Sequence, residues 1–480
     1  MRTPIIRSLI GASTALLAGC AVGPDFTAPV PQVPSAWTAA AEAAPARVEG
    51  WWTTFNDAEL TSLITRAAAE NLDAQAAVLR IAEARAQRDV VAADGRPSLS
   101  ANASGQINRL SESTPTGALF NNVGKFPGLS GIRIPNPYEQ DQVGFDASWE
   151  IDLFGRVRRS VEAADADTQA SVEDSRSVVI TTLGEVARAY MDLRGAQARR
   201  RLASQTIDTD RELLDLADES RQAGTASQID VARAAAEASG AQAQLPVLDQ
   251  QITVDINQLS KLLALEPGAL KAELQSPQPV PPVPSLAPVG LPADLARRRP
   301  DIREAEARLH AATARVGVAV GDLYPKLTLG AQGGYQAQSL PLLTQWASRF
   351  LTAGPSVELP IFEGGRLRAT VRLQDAQAKA AALDYRNTVL AALHEVDDAL
   401  SAYGADQARE AALADTVAQD AEAAELAQQR YANGLAAYID VLVAQRTLQQ
   451  NELLSADART AVSIDLVVIY KALGGGWGAT

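Results

Sequence analysis

Hydrophobic and polar residues alternate along four short stretches of the chain. In the first, Leu99, Ala101, Ala103 and Ile107 alternate with Ser100, Asn102, Ser104, Gln106 and Asn108. In the second, Val143, Phe145, Ala147, Trp149 and Ile151 alternate with Gln142, Asp146, Ser148, Glu150 and Asp152. Leu327, Leu329, Ala331 and Tyr335 against Thr328, Gln332 and Gln336 make the third; Val357, Leu359 and Ile361 against Ser356 and Glu358 make the fourth. Successive side chains of a strand point to opposite faces, so period two predicts strand pairs at 98–153 and 326–362 with one apolar face. Runs of ~10 residues are the length a tilted strand needs to cross a bilayer. A half-buried soluble sheet alternates identically, so the pattern alone leaves both readings open. Four strands cannot close, and hydrocarbon tolerates no open strand edge. The membrane reading therefore requires oligomerisation, and three copies would supply about twelve strands.

Between the first two strands, residues 109–141 are rich in Gly, Pro, Asn and Ser, with Pro115-Thr116-Gly117, Phe126-Pro127-Gly128 and Pro135-Asn136-Pro137. This composition predicts a long hairpin loop, placed on the extracellular side. The second hairpin loop, about 337–351, contains Pro341, Trp346 and Phe350. Its aromatics fit either the headgroup level or packing within the loop.

After each strand pair the period changes. Phe154-Gly155-Arg156 and Gly364-Gly365-Arg366 lead into stretches from 156 to about 222 and from 366 to about 432, each 67 residues without proline. As helices they would be ~100 Å long, more than a compact domain needs. Apolar residues at 3-4-3 spacing (Leu183, Val186, Tyr190, Leu193; Leu393, Val396, Leu400, Tyr403) form a coiled-coil seam in each. Gly224 in Gln222-Ala223-Gly224-Thr225-Ala226-Ser227 and Gly434 in Ala432-Asn433-Gly434-Leu435-Ala436-Ala437 supply helix stops. Return helices follow, completing hairpins at 156–264 and 366–473. Shorter helices, 57–94 and 293–322, precede the strand pairs. Seven prolines within 275–292 predict a stiff linker.

The whole pattern occurs twice. Asp73–Pro97 maps onto Asp301–Pro325 with an offset of 228. Arg156, Gly224, Ile229-Asp230-Val231 and Lys261 map onto Arg366, Gly434, Ile439-Asp440-Val441 and Lys471 with an offset of 210. The first copy thus holds 18 extra residues between Pro97 and Arg156. Repeats of this size are too long for a solenoid. They divide the chain into a first repeat, 57–274, the linker, 275–292, and a second repeat, 293–480.

The first residues change the compartment. Arg2 and Arg7, the apolar run Leu9–Ala18 and Leu17-Ala18-Gly19-Cys20 read as a signal peptide over 1–19, too short to span a bilayer. Cys20 is the only cysteine, so no disulfide within the chain is possible. Its setting is similar to a bacterial lipobox, which makes it the lipidated first residue of an anchored segment, 20–56. Ala21 in place of aspartate favours the outer membrane by that analogy. No later run of 18 apolar residues exists. The formal charge of −14 becomes −16 once two arginines leave with the signal. Such acidity argues against nucleic acid as a partner and suits a pore preferring cations.

Candidate enzyme chemistry is thin. The only histidines are His310 and His394. His394-Glu395-Val396-Asp397-Asp398 lies on the long helix with no second histidine near, and reads as solvated charge beside the seam residue Val396. Phosphate-binding glycine loops and metal-spaced cysteines are absent, so neither an enzyme nor a cofactor is expected.

Together these residues resemble the outer-membrane factor family, the TolC-like exit ducts, and within it the lipoprotein subgroup of RND-type multidrug efflux systems (the NodT and OprM type). The resemblance covers nearly all of the mature chain. It rests on Cys20-Ala21-Val22-Gly23-Pro24-Asp25-Phe26, on Trp51-Trp52 with Phe55 and Leu60, and on Asp152-Leu153-Phe154-Gly155-Arg156. Leu295-Ala296-Arg297-Arg298-Arg299-Pro300-Asp301-Ile302-Arg303, Tyr324-Pro325 and the run from Arg430-Tyr431 to Asp440-Val441-Leu442 complete it. It implies an α+β membrane protein: a homotrimer whose 12-stranded β-barrel, four strands per protomer, is continuous with a long periplasmic α-helical barrel. The linker and termini would build an equatorial belt. Partners implied are a hexameric periplasmic adaptor (membrane fusion protein), an inner-membrane RND pump and outer-membrane lipid. By the same resemblance Asp440 is the constricting carboxylate of a periplasmic gate, and Tyr431 and Asp230 form a closing bond between helices. The turns at Gly224-Thr225 and Gly434-Leu435 contact the adaptor. Val443 and Ala436 stand where relatives carry a second aspartate and an arginine, so those gate elements are missing. The alternative is a coiled-coil periplasmic adaptor or structural lipoprotein, but adaptors carry small β-rich domains and one helical hairpin, not two.

Overall fold

The structure is a computed structural model describing residues 21–476, other than 32, 39–48, 133–134, 285–288, 291, 293–294 and 296–297. The signal peptide, Cys20 and parts of the linker lie outside the described residues. Two compact units are present. One takes in the chain up to Ala28, Ala84–Thr168 and Arg308–Ala381; the other holds Pro29–Glu83, Gln169–Ala307 and Ala382–Thr480. The units therefore cut across both sequence repeats.

The first unit contains the strands β1 (Ser98–Asn108), β2 (Tyr138–Ile151), β3 (Lys326–Ala337) and β4 (Arg349–Glu358). They form one antiparallel sheet in the order β1-β2-β3-β4. Its register aligns Ala101, Phe145, Gly333 and Leu351 in one row and Ser100, Asp146, Gln332 and Thr352 in the next. Alternation thus sorts the sheet into an apolar and a polar face. The apolar face is bare: Leu99, Phe145, Leu351 and Val357 are 60–80% exposed. β1 and β4 end the sheet with no further strand beside them.

Two details differ from expectation here. β4 runs from Arg349 to Glu358, not across Val357–Ile361. Pro360 has no N–H to donate and stops the strand, while Pro355 is tolerated because β4 is an edge. Phe350, read as loop, lies in β4 opposite Gly334. The loop after β1 also contains a helix, α3 (Pro115–Asn122). Thr114 Oγ1 accepts from the Gly117 N–H and Pro115 opens the first turn, so the Pro and Gly that look like loop residues start a helix.

The same unit holds the chain's first described residues. The Val22 N–H donates to the Phe154 carbonyl at 3.0 Å. The buried guanidinium of Arg159 reaches Asp25 at 2.5 Å and Glu162 at 2.8 Å, and Phe26 stacks on His310 at 4.3 Å. His310 is bonded to Glu162 at 3.0 Å. A Cβ on Gly23 would meet the Gly317 backbone at 2.5 Å, so only glycine fits at position 23.

Where one helix was expected at 57–94, there are two: α1 (Ala58–Glu70) and α2 (Leu72–Ala93). Asn71 divides them. Its Oδ1 accepts from the N–H groups of Asp73 and Ala74, capping α2, and its amide donates to the Leu262 carbonyl at 2.8 Å. Asn71→Ala removes a cap and orphans a buried carbonyl, and is expected to cost ~1–3 kcal/mol in thermal unfolding of the second unit.

The long helices α4 (Arg156–Gln222) and α8 (Arg366–Ala432) return through α5 (Gln228–Leu262) and α9 (Tyr438–Ala472). A short α6 (Lys271–Leu274) and α7 (Pro300–Gly321) lie between the hairpins. The seam residues Leu183, Val186, Tyr190, Leu193 and Val396 are fully buried, and Leu400 and Tyr403 nearly so. Leu183 and Tyr190 lie in the second unit with Trp51, Phe55 and Tyr470; Trp51 stacks on Tyr470 at 5.3 Å. Asp57 caps α1 through the Leu60 N–H and also accepts from the Tyr190 hydroxyl at 2.8 Å. Arg299, from the Arg-rich motif, forks onto both oxygens of Asp301 and reaches Glu395 and the Ala472 carbonyl. The linker is held by its carbonyls: Pro281 accepts from Ser463, and Pro284 from Tyr403 and Gln407. No described helix is long and apolar enough to cross a membrane.

Candidate functional site

The residues singled out from the sequence meet at the hairpin ends of the second unit. At each end the glycine takes a left-handed conformation, φ +76° at Gly224 and +70° at Gly434. The Thr225 N–H donates to Ser220 O and the Gly224 N–H to Arg221 O; Leu435 and Gly434 do the same to Arg430 and Tyr431. These paired bonds satisfy carbonyls that the helix end leaves open, and only glycine adopts such φ without strain. Thr225 and Leu435 are exposed, as the tip assignment requires of a contact surface.

Asp230 and Asp440 each occupy the third position of a return helix. Asp230 accepts from the Ser227 N–H at 3.0 Å and the Ser227 hydroxyl at 2.8 Å, and Ser227 caps α5 in return. Asp440 accepts only the Ala437 N–H, at 3.1 Å, because Ala437 has no hydroxyl. Both carboxylates thus sit at a helix N-terminus, where the dipole favours negative charge. Asp440 is the more exposed of the two and the less engaged.

The expected Tyr431–Asp230 bond is not formed. The Tyr431 hydroxyl is buried without a hydrogen-bond partner, and Asp230 is committed to its cap. Tyr431 instead packs edge-on against Tyr438, ring centres 5.6 Å apart, in an apolar cluster with Leu213, Ala217, Ala234, Val441 and Leu442. Burial, with Asp210 and Glu237 nearby, pushes the Tyr438 hydroxyl up to about 12.

Polar ties from the return helix α9 to α5 and α4 lie just behind the tips, on residues not foreseen. Arg446 of α9 forks onto Glu237 of α5, with Nε to Oε2 at 3.1 Å. One turn away Gln449 donates to Asp210 of α4 at 3.4 Å. Burial raises the Asp210 carboxyl, and the Glu237 charge adds to this, while Gln449 and Arg446 oppose it. Arg446 therefore stands between two carboxylates. The signal was available: opposite charges at 237 and 446, one residue off the 210-residue repeat offset, fall side by side when equivalent helices pair. Among the described residues no cluster of His, Cys, Asp and Glu could hold a metal ion, and Glu395 of the His394 segment is taken up by Arg299.

The pattern of a family described as outer membrane efflux protein matches residues 63–265 and 291–475. The chain belongs to the outer membrane efflux protein family. The two matched segments fall on either side of the proline-rich linker, one per repeat. Among relatives in this family, the outer membrane protein OprJ of Pseudomonas aeruginosa is 32% identical over 482 residues, covering 99% of this chain and 97% of its own. The toluene efflux pump outer membrane protein TtgI of Pseudomonas putida is 32% identical over 479 residues, 96% of each chain. The structure of the outer-membrane channel OprN is similar with a TM-score of 0.85 at 34% identity, covering 95% of this chain and 100% of OprN. The fold is therefore that of TolC-like outer-membrane channels, and the outer membrane efflux proteins are transport conduits rather than enzymes.

Proposed function

We propose that this chain is the outer-membrane exit duct of a tripartite RND-type efflux system, conducting passively what an inner-membrane pump and a periplasmic adaptor deliver. The observation that carries this is the sheet: one largely apolar, uncovered face of strands 10–14 residues long, with Glu139, Asp141 and Arg349 confined to its loop end, one polar face, and two unpaired edges. A bilayer accepts that face and forbids those edges, so closure comes from three copies joined β4 to β1. The polar face then lines the lumen. Two hairpins per chain give six hairpin ends in the trimer, matching a hexameric adaptor at Gly224-Thr225 and Gly434-Leu435. Cys20 carries the lipid that tethers each chain to the outer membrane. The chain does no chemistry on its cargo and needs no cofactor. An adaptor or structural lipoprotein has no use for a bare amphipathic sheet.

The test is the lipidated, full-length protein in planar bilayers, with its migration on gels before and after heating. Stable conductance and a heat-sensitive trimer are expected; a water-soluble monomer without conductance would end the duct reading. Within that reading Asp440 is the carboxylate ring at the constriction, since like charges held together attract cations. Asp440→Ala is expected to lower the preference for cations over anions and to widen single-channel conductance. Unchanged selectivity would take Asp440 out of the gate.

A further inference from the structure

The polar face of the sheet carries one charge within the span of its strands that has no ion pair among the described residues. Register places Asp146 in a row with Ser100, Gln332 and Thr352. The other charged residues of this face, Glu150, Lys326 and Glu358, all lie at the end that joins the helices. Each has an opposite charge beside it. Arg156 forks onto Glu150 at 3.0 and 2.8 Å, Lys326 reaches Asp322 at 3.1 Å, and Glu358 faces Lys326 in register. Asp146 instead accepts the Gln332 amide on Oδ2 at 2.5 Å. A neutral donor fixes the carboxylate in place and leaves its charge.

The surroundings of this pair are bare. Along the same face Asp146 is flanked by Gly144 and Ser148, and Gln332 by Gly330 and Gly334. Packing explains two of these glycines: a Cβ would meet the Gly333 carbonyl at 2.8 Å from Gly144 and the Val143 carbonyl at 2.2 Å from Gly334. It does not explain Gly330, or Gly354 opposite it in β4, where a Cβ would meet nothing within 4 Å. Neither has a left-handed backbone. What they leave is clear space on the polar face. Side chains of a strand stand away from the sheet, so on β2 and β3 Asp146 and Gln332 project beyond the residues on either side.

We propose that Asp146 is a charge filter in the β-barrel itself, separate from Asp440, favouring cations and cationic cargo over anions. This rests on the duct reading, in which three copies set three Asp146 carboxylates at one level of the lumen. Lumen-facing substitutions tune selectivity in such barrels, and rings of carboxylates select cations. Three charges about one Debye length from the axis, ~10 Å at 0.1 M salt, raise the local cation concentration roughly twofold and lower that of anions as much.

The test records reversal potentials of the full-length protein in planar bilayers under a KCl gradient. Wild-type and Asp440→Ala backgrounds are both used, so that the tip carboxylates do not mask the ring. Asp146→Asn keeps an oxygen for Gln332 and removes the charge. Its potassium-to-chloride permeability ratio should fall roughly two- to fourfold near 0.1 M salt, and the difference should vanish near 1 M. Asp146→Cys labelled with a sulfonate-bearing methanethiosulfonate should regain the cation preference; labelled with the trimethylammonium reagent it should turn toward anions. Wild type, whose only cysteine is Cys20, controls for the reagents. Unchanged selectivity of Asp146→Asn in both backgrounds, or the same response to both reagents, overturns the proposal and leaves a conducting duct. A wild-type protein that does not conduct ends the duct reading and the proposal together.

Discussion

Arg446→Glu is expected to give the most open channel of any single substitution in this chain. The wild-type guanidinium lies between Glu237 and the buried Asp210 and joins α9 to α5. Reversal puts a third carboxylate where a cation stood, and like charges at this spacing repel. Among the described residues no other polar tie joins these two return helices at the tip: Asp230 and Asp440 cap their own helices, and the Tyr431 hydroxyl bonds to nothing. A bias of one or two kcal/mol shifts a two-state ratio by roughly 5–30-fold, the rise in open probability expected in single-channel records. Arg446→Ala should do less, since the exposed pair loses attraction without gaining repulsion. The swap Glu237→Arg with Arg446→Glu restores opposite charges and should return the closed record. If the swap is as open as Arg446→Glu alone, the pair does not hold the tip.

Arg299→Met is expected to have a large effect on stability. The guanidinium is 11% exposed, forks onto Asp301 at 3.0 and 2.7 Å, and meets Glu395 at 2.7 Å and the Ala472 carbonyl at 2.6 Å. One side chain thereby ties the start of α7, the middle of α8 and the end of α9. Methionine keeps the volume and leaves two carboxylates without their cation; because Asp301 and Glu395 are themselves 37% and 41% exposed, water screens them and the buried-pair cost falls to ~1–3 kcal/mol. Arg299→Lys should recover only part, because a point charge cannot fork. Loss of helical circular dichroism on heating measures it. A midpoint within a degree of wild type would mean that the fork contributes nothing net.

Long-period features were the legible ones. The 67-residue helices have the expected bounds because nothing in them competes with helix: no proline, a steady apolar seam and glycine stops that take the left-handed conformation other residues avoid. The sheet faces were equally plain, because one register slip would turn every apolar side chain to the wrong side. Local chemistry was harder to read. Asn71 looks like an ordinary polar residue in a helix, and only the carbonyl of Leu262, 191 residues away, makes a break there favourable. β4 was misplaced because an edge strand tolerates Pro355, which reads as a breaker. At the tips, Asp230 and Asp440 were found by position. Their caps follow from the residue three places earlier, serine in one copy and alanine in the other. The Glu237–Arg446 pair could have been found from the repeat offset, but Asp210, on α4 and in no motif, could not be joined to it from the sequence.

The two raw edges of the sheet bear on the order of events during biogenesis. A lone chain has nowhere to put its bare apolar face: in water it is unprotected, and in lipid its edges are unpaired. On the proposed trimer, insertion and association collapse into one event, third order in chain. A tether that confines chains to a surface speeds such a reaction steeply by raising their local concentration. Below a threshold of synthesis the protein would accumulate as unassembled chains exposed to proteases, so its abundance in the membrane should rise with expression as a sharp step.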